Sequence, residues 1–447
     1  YVRPLNTNFY QSQPLVMPAS WDNGGHGGCR LGLRGARTYL VSCYSGARSM
    51  EAGEVQHYDF RLLLTPFHPL DTGAQWATRY YHAFAPLDSI AATGANVVNV
   101  HHATAINPYL NYPFLRADSM RGYVADAHRR GMRVKIYYTV RELTDHAPEL
   151  FALRSLGDEV IARGAGGGPS WLQEHLGGSY IFGWHVWELR DAAVINTGIS
   201  RWHNFYVEGL RWLTENVGVD GIYLDDVAFD RSVMQRIRRV LVRARPAPLI
   251  DLHSANQFDP ADGFASSANL YLEHFPYLDR LWFGEGFDYG SPPDYWLTEI
   301  SGIPFGLMGE MLQDGGNPWR GMLFGMTNRL PWSGDPRPLW RLWDSIGIQR
   351  TAMIGWWVPS NPVATGRADV LATVYRGPGY ALVALASWAG DTVEVIPRFD
   401  WAALGLDSAA ARIIAPAVAH FQDSASFVPG QPIRVPPAKG WLLVVKP

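Results

Sequence analysis

Two adjacent carboxylates, Asp225 and Asp226, end the short apolar run Ile222, Tyr223 and Leu224 within the stretch 217–231. Carrying charge out of a buried strand costs desolvation energy, so acids in such a place are expected where a core opens towards a ligand. The alternative is that they cap the following helix. Asp230 already suits that task, because it stands directly before the helical stretch 231–245 and Asp is a favoured N-cap. The pair is therefore read as functional.

The surrounding pattern says what must hold these acids in position. From about residue 86, strand-like and helix-like segments alternate, which is the signature of parallel βα units. Strands are expected at 95–102, 132–140, 192–197, 219–225, 249–254, 280–285, 306–310 and 353–357, so the paired acids end the fourth. Eight units over 86–365 predict an α/β fold built on a (β/α)₈ TIM barrel. Residues 1–85 read as an N-terminal β-sandwich portion that begins mid-pattern. Residues 366–447 alternate apolar runs with Gly and Pro turns and read as a C-terminal β-sandwich.

Barrels of this kind form their sites at the C-terminal ends of the strands. The polar residues expected there are His101, His102, Glu142, Asp225, Asp226, His253, Glu285 and Glu310, with Tyr138, Trp282, Trp332, Trp356 and Trp357 as walls. Several carboxylates around one mouth suit cleavage of glycosidic bonds in an oligo- or polysaccharide. One carboxylate attacks or stabilises an oxocarbenium-like centre, another protonates the leaving oxygen, and aromatic rings bind sugar faces. Side-chain alternation puts Tyr223 and Asp225 on one face of the strand and Leu224 and Asp226 on the other. Asp225 is thus the expected nucleophile, with Asp226 as its orienting or second catalytic partner. Glu285 is the expected acid, since the apolar neighbours Trp282 and Phe283 would raise its pKa.

Composition narrows the alternatives. A formal charge of −3 provides no basic surface, so nucleic acid is not an expected partner. The only lysines are Lys135, Lys439 and Lys446, which leaves Lys135 as the one candidate for Schiff-base chemistry. No apolar run reaches the roughly 18 residues needed for a membrane span. Cys29 and Cys43 lie in a β-rich region and can pair, but neither belongs to a metal-spaced cluster. A chain that begins with Tyr1 reads as processed or truncated, and a secreted or periplasmic location is expected. No cofactor is expected, and oligomeric state is not legible in the chain.

The run Asp220, Gly221, Ile222, Tyr223, Leu224, Asp225 is similar to the strand-four motif of retaining (β/α)₈ glycosidases of the α-amylase, family 31 and family 36 types. That resemblance implies that Asp225 is the nucleophile of a retaining enzyme. It departs from the α-amylase pattern at Tyr223, where those enzymes carry Arg. The three-part layout, with Leu64, Thr65, Pro66 and 79–82 closing a sandwich ahead of the barrel, resembles the glycoside hydrolase family 123-like group. This likeness implies substrate-assisted cleavage, in which Asp225 orients the substrate's acetamido group and Asp226 is the acid. Asp226 stands where that group has Glu.

Two other functions remain open. A metal-dependent hydrolase would use His101, His102, His253 and His274, but adjacent residues on a strand face opposite ways, so His101 and His102 chelate poorly together and no metal is expected. A non-catalytic carbohydrate-binding or surface protein would suit the sandwiches and the 18 Trp, yet has little need for three desolvated carboxylates at one mouth.

Overall fold

A computed structural model describes residues 23–56, 62–139, 142–164, 166, 180–183, 191–195, 200–225, 231–254, 272–311, 316–332 and 334–447. Asp226 lies outside them. Up to Leu64, in the first of two compact units, the described residues form one antiparallel hairpin, β1 (Gly28–Arg34) with β2 (Thr38–Tyr44). Cys29 faces Cys43 across this ladder, and the two are joined by a disulfide.

The second unit, Thr65–Pro447, holds a parallel barrel and an antiparallel sheet. Barrel strands are β3 (Tyr80–Tyr81), β4 (Val97–Val100), β5 (Arg133–Tyr137), β8 (Gly221–Asp225), β9 (Leu249–Ser254), β10 (Arg280–Phe283) and β11 (Gly309–Met311), hydrogen-bonded in that order. Residues 327–330 fill the eighth position. Parallel bridges join Met311 to Asn328 and Tyr81 to Leu330, with Met311 N donating to Thr327 O and Leu330 N to Tyr80 O. Both faces of these strands are covered, and so β8 reads as continuously apolar until Asp225. Ile222 and Leu224 pack outward against helices such as Trp202–Trp212, whose buried Trp202, Tyr206 and Leu210 recur every fourth residue.

Three strand assignments differ from the sequence reading, and the differences cancel. The first strand is β3, only two residues long and too short to show a pattern. Residues 192–194 are not a barrel strand. As β7 (Ala192–Val194) they pair antiparallel with β6 (Glu142–Thr144), forming a hairpin in the excursion after β5. Residues 352–354 form β12 (Ala352–Ile354), which pairs antiparallel with the C-terminal sheet rather than closing the barrel. Gly221–Asp225 therefore remains the fourth strand.

At the floor of the barrel, acids at strand starts accept backbone protons from neighbouring strands. Asp220 Oδ2 takes Val134 N at 2.8 Å and lies 2.8 Å from His128 Nε2. Asp279 Oδ2 takes Ile250 N at 2.8 Å. The first acid of the Asp220, Gly221 motif is thus a structural clamp. Gly221 is required by close approach, because a Cβ there would lie 1.9 Å from Leu249 O. Gly221→Ala is expected to cost about 3 kcal/mol through a forced shift of β8 from β9. An unchanged denaturant midpoint would refute this.

The C-terminal sheet runs β12, β14 (Val370–Gly377), β15 (Tyr380–Ser387), β21 (Gly440–Lys446), β18 (Arg412–Ala415), β19 (Ala425–Phe427). Two short ladders, β13 (Val363–Ala364) with β17 (Arg398–Phe399) and β16 (Val393–Val395) with β20 (Ile433–Val435), add Val363, Val395, Ile433 and Val435 to its core. Its other face meets the barrel, where Thr373 Oγ1 donates to Leu323 O and Tyr375 OH to Met322 O. No helix among the described residues is long and apolar enough to cross a membrane.

Candidate active site

Alternation along β8 sends Tyr223 and Asp225 into the barrel, where three strand ends converge on one imidazole. Nδ1 of His253, on β9, lies 2.9 Å from Asp225 Oδ1 and 2.8 Å from the Tyr223 hydroxyl. Nε2 of the same ring lies 2.9 Å from Oε2 of Glu285, two residues past β10. Both ring nitrogens face carboxylate oxygens, so both bonds are satisfied together only when His253 is doubly protonated. Burial opposes that charge, but the bonds and charges of Asp225 and Glu285 overcome it and raise the His253 pKa to about 10. The other Asp225 oxygen, Oδ2, accepts a bond from Tyr137 OH at 3.3 Å.

The sequence reading expected apolar neighbours to raise the Glu285 pKa. Burial does act in that direction, but the His253 imidazolium outweighs it and holds the carboxyl below its usual range. At rest the mobile proton of the site resides on His253, not on Glu285.

Histidines at the exits of β3 and β4 complete the floor of this mouth. His101 packs against Tyr137 at 4.5 Å and against His82 at 5.6 Å, and burial drops its pKa to about 4. His102 is buried on the same tyrosine at 4.6 Å. His82 Nδ1 accepts a bond from Asn99 Nδ2 at 2.8 Å, and burial, aided by His101 and Arg329, keeps its pKa well below the ordinary value. Trp332 is 64% exposed at the rim, with its ring edge-on to His82 and its Nε1 donating to His82 O.

Not every candidate reaches this cluster. Tyr138 points the opposite way from Tyr137, stacks on Tyr206 at 4.3 Å in the helix layer and donates to Tyr206 O. Trp282 is inside the barrel but sealed, between Tyr223, His82 and the Arg329 guanidinium, and so presents no face to a ligand. Glu142 is buried on β6, and its backbone oxygen accepts from Asn111. Trp356 sits at the seam with the C-terminal sheet, its backbone N bonded to Thr373 Oγ1 and its ring edge-on to Trp357.

Glu310 lies deeper, in a buried ion cluster. Arg329 pairs with Glu310 Oε2 at 2.6 Å and with Asp251 Oδ2 at 2.7 Å. Lys135 pairs with Asp251 Oδ1, and Arg280 with Glu310 Oε1 at 3.2 Å. Desolvation lowers the Lys135 pKa to about 8, so it remains charged at neutral pH. Three cations then face two carboxylates, leaving one positive charge in excess beneath the mouth.

Sequence reasoning missed Tyr137, His82 and this cluster. Lys135 and Tyr137 share a face by period two, which would have selected Tyr137 over Tyr138. His82 was hidden because its strand was not recognised.

A parallel barrel with titratable groups gathered at its C-terminal mouth and an antiparallel domain behind it is the architecture of (β/α)₈ glycosidases. The chain belongs to glycoside hydrolase family 123. Its TIM-barrel domain matches residues 71–331, its C-terminal domain 335–446 and its third domain 1–66. The protein is a glycosidase. None of the curated protein sequences compared with it matches. Among solved structures, an α-amylase from Geobacillus thermoleovorans complexed with acarbose superposes with TM-score 0.51 at 11% identity, over 83% of this chain and 99% of that one. A noncanonic maltogenic α-amylase from Thermotoga neapolitana gives 0.51 at 12%, over 83% and 99%. At such identity the likeness shows the shared fold alone.

Proposed function

We propose that this glycosidase cleaves oligo- or polysaccharides at the mouth formed by Asp225, His253 and Glu285, with Trp332 as a stacking platform for a sugar ring. The observation that carries this reading is the single imidazole bonded at 2.9 Å to both carboxylates. Asp225 has one oxygen engaged by His253 and the other by Tyr137, an arrangement suited to a fixed anion that stabilises positive charge at the anomeric carbon. Retention then relies on the substrate's own 2-acetamido group as nucleophile, the mechanism implied by the family resemblance. As the glycosidic C–O bond breaks, Glu285 takes the proton of His253 Nε2 on one oxygen and gives a proton to the leaving oxygen, so that the net donor is the imidazolium. Water attacking the intermediate returns one proton to this couple. Asp226 is the alternative acid in the same scheme. Secretion or a periplasmic location is part of this reading, supported by the disulfide.

The test compares aryl 2-acetamido-2-deoxyglycosides with their 2-hydroxy counterparts and follows the first product by NMR. Faster turnover of the acetamido sugars with retained configuration supports the proposal; equal rates would remove the acetamido group from it. One observation favours a second reading. Two hydrogen bonds in series across a ring hold Asp225 and Glu285 further apart than the roughly 5–5.5 Å of a directly retaining pair, so an inverted first product would identify them as base and acid.

The proton inventory predicts a pH profile. His253 is charged below about pH 10, so kcat/KM is expected to hold through neutrality and fall as pH rises through that value. In Glu285→Gln, which also removes the group that passes the proton on, the imidazolium loses one of the carboxylates that raise its pKa, and the His253 titration followed by NMR should move to lower pH. A titration that stays put in the variant would show that Glu285 does not hold the proton on His253.

A further inference from the structure

The hairpin of β6 and β7 carries a second cluster that the glycosidase site does not use. Thr144 pairs with Ala192 at the end of this ladder, so Asp145 and Asp191 face each other where the excursion 146–190 leaves and returns, and Asp145 N donates to Asp191 O at 2.7 Å. Both acids are buried, Asp145 at 5% exposure and Asp191 at 2%. Neither carboxylate oxygen of Asp145 has a hydrogen-bond partner among the described residues. Asp191 Oδ2 accepts from Thr144 Oγ1 and lies 4.0 Å from His146 Nε2. The His146 ring is stacked on Tyr109 at 4.5 Å, which fixes its direction. One donor atom each from Asp145, His146 and Asp191 falls within 4.8 Å of the other two.

We infer that Asp145, His146 and Asp191 bind a divalent cation that ties the two ends of the excursion 146–190 together. Two buried carboxylates at this spacing repel each other, and the unsatisfied oxygens of Asp145 forfeit hydration without a protein donor in return. A cation at roughly 2.0–2.2 Å from each ligand removes both costs after a small inward shift. Two carboxylates with one imidazole suit Zn²⁺ or Mn²⁺, whereas Ca²⁺ takes oxygen ligands throughout. The clip closes a long loop at its neck, where a cross-link restricts the unfolded chain most.

The test strips the purified full chain with a chelator and dialyses it separately against Zn²⁺, Mn²⁺ and Ca²⁺. Elemental analysis and thermal unfolding follow, without any activity readout. One equivalent of Zn²⁺ or Mn²⁺ is expected, with Tm rising on the order of 3–5 °C at saturation. Asp145→Asn should abolish both effects and still fold, because it removes a buried charge while keeping the shape. His146→Ala should weaken binding at least tenfold. Three results would each overturn the site: no bound cation and no Tm response in the wild type, unchanged stoichiometry in Asp145→Asn, or Zn²⁺ and Mn²⁺ affinities unchanged in His146→Ala.

Discussion

Asp225→Asn is expected to lower kcat by about 10³–10⁴-fold with little change in KM, the range for loss of a positioned charge that acts on the transition state. The substitution keeps the shape of the side chain and removes its charge. The introduced amide would still have one oxygen to offer to His253 or Tyr137, but its nitrogen would face the donor left over. The imidazolium would lose one of the two carboxylates that overcome its burial, so its pKa falls. Two measurements therefore move together, kcat at neutral pH and the position of the alkaline limb. A merely structural role for Asp225 would instead change the unfolding midpoint and leave the limb unmoved. Retention of more than a tenth of wild-type kcat, in a folded variant, would eliminate Asp225 as a catalytic residue.

Asp225 was legible in the sequence because β8 obeys simple rules. It is buried on both faces, apolar until its last residue, and its period-two alternation decides which acid points inward. The same rule found His253 and Glu285 at the ends of β9 and β10. It failed where barrel strands are short or polar. β3 spans two residues, and residues 327–330 carry Thr327, Asn328 and Arg329 where an apolar run would be sought. Their polarity is intelligible only with the barrel closed, because Arg329 faces Asp251 and Glu310, which are distant in the chain. The apolar run 353–357 attracted the eighth-strand assignment but belongs to the seam with β14. Nor could the sequence show that one histidine would sit between two carboxylates, and it is this contact that reverses the expected direction of the Glu285 pKa. Local pattern gives strand ends and inward faces; proton location depends on which ends meet.

The buried ion cluster under the mouth carries a large expected effect on stability. Arg329 is fully buried and binds Asp251 and Glu310 at once, while its guanidinium lies 4.0 Å from the Tyr80 ring centre and 4.5 Å from that of Trp282. Arg329→Met preserves much of the volume but leaves Lys135 as the remaining ion-pair partner of Asp251 and Arg280 as that of Glu310. Asp251 and Glu310 each lose one of two cationic partners while staying desolvated, so the cost is expected at about 3 kcal/mol, the low end for a buried ion pair broken from one side. The denaturant midpoint should fall accordingly. Packing loss and charge imbalance are separable by placing Glu310→Gln in both backgrounds. In the wild type it strands Arg280 and Arg329, leaving three cations against Asp251 alone, whereas in Arg329→Met it strands only Arg280 and should cost less. A smaller loss in the Arg329→Met background would establish that charge balance, not side-chain volume, holds this layer together. Equal losses, or an Arg329→Met variant within about 1 kcal/mol of wild type, would refute it.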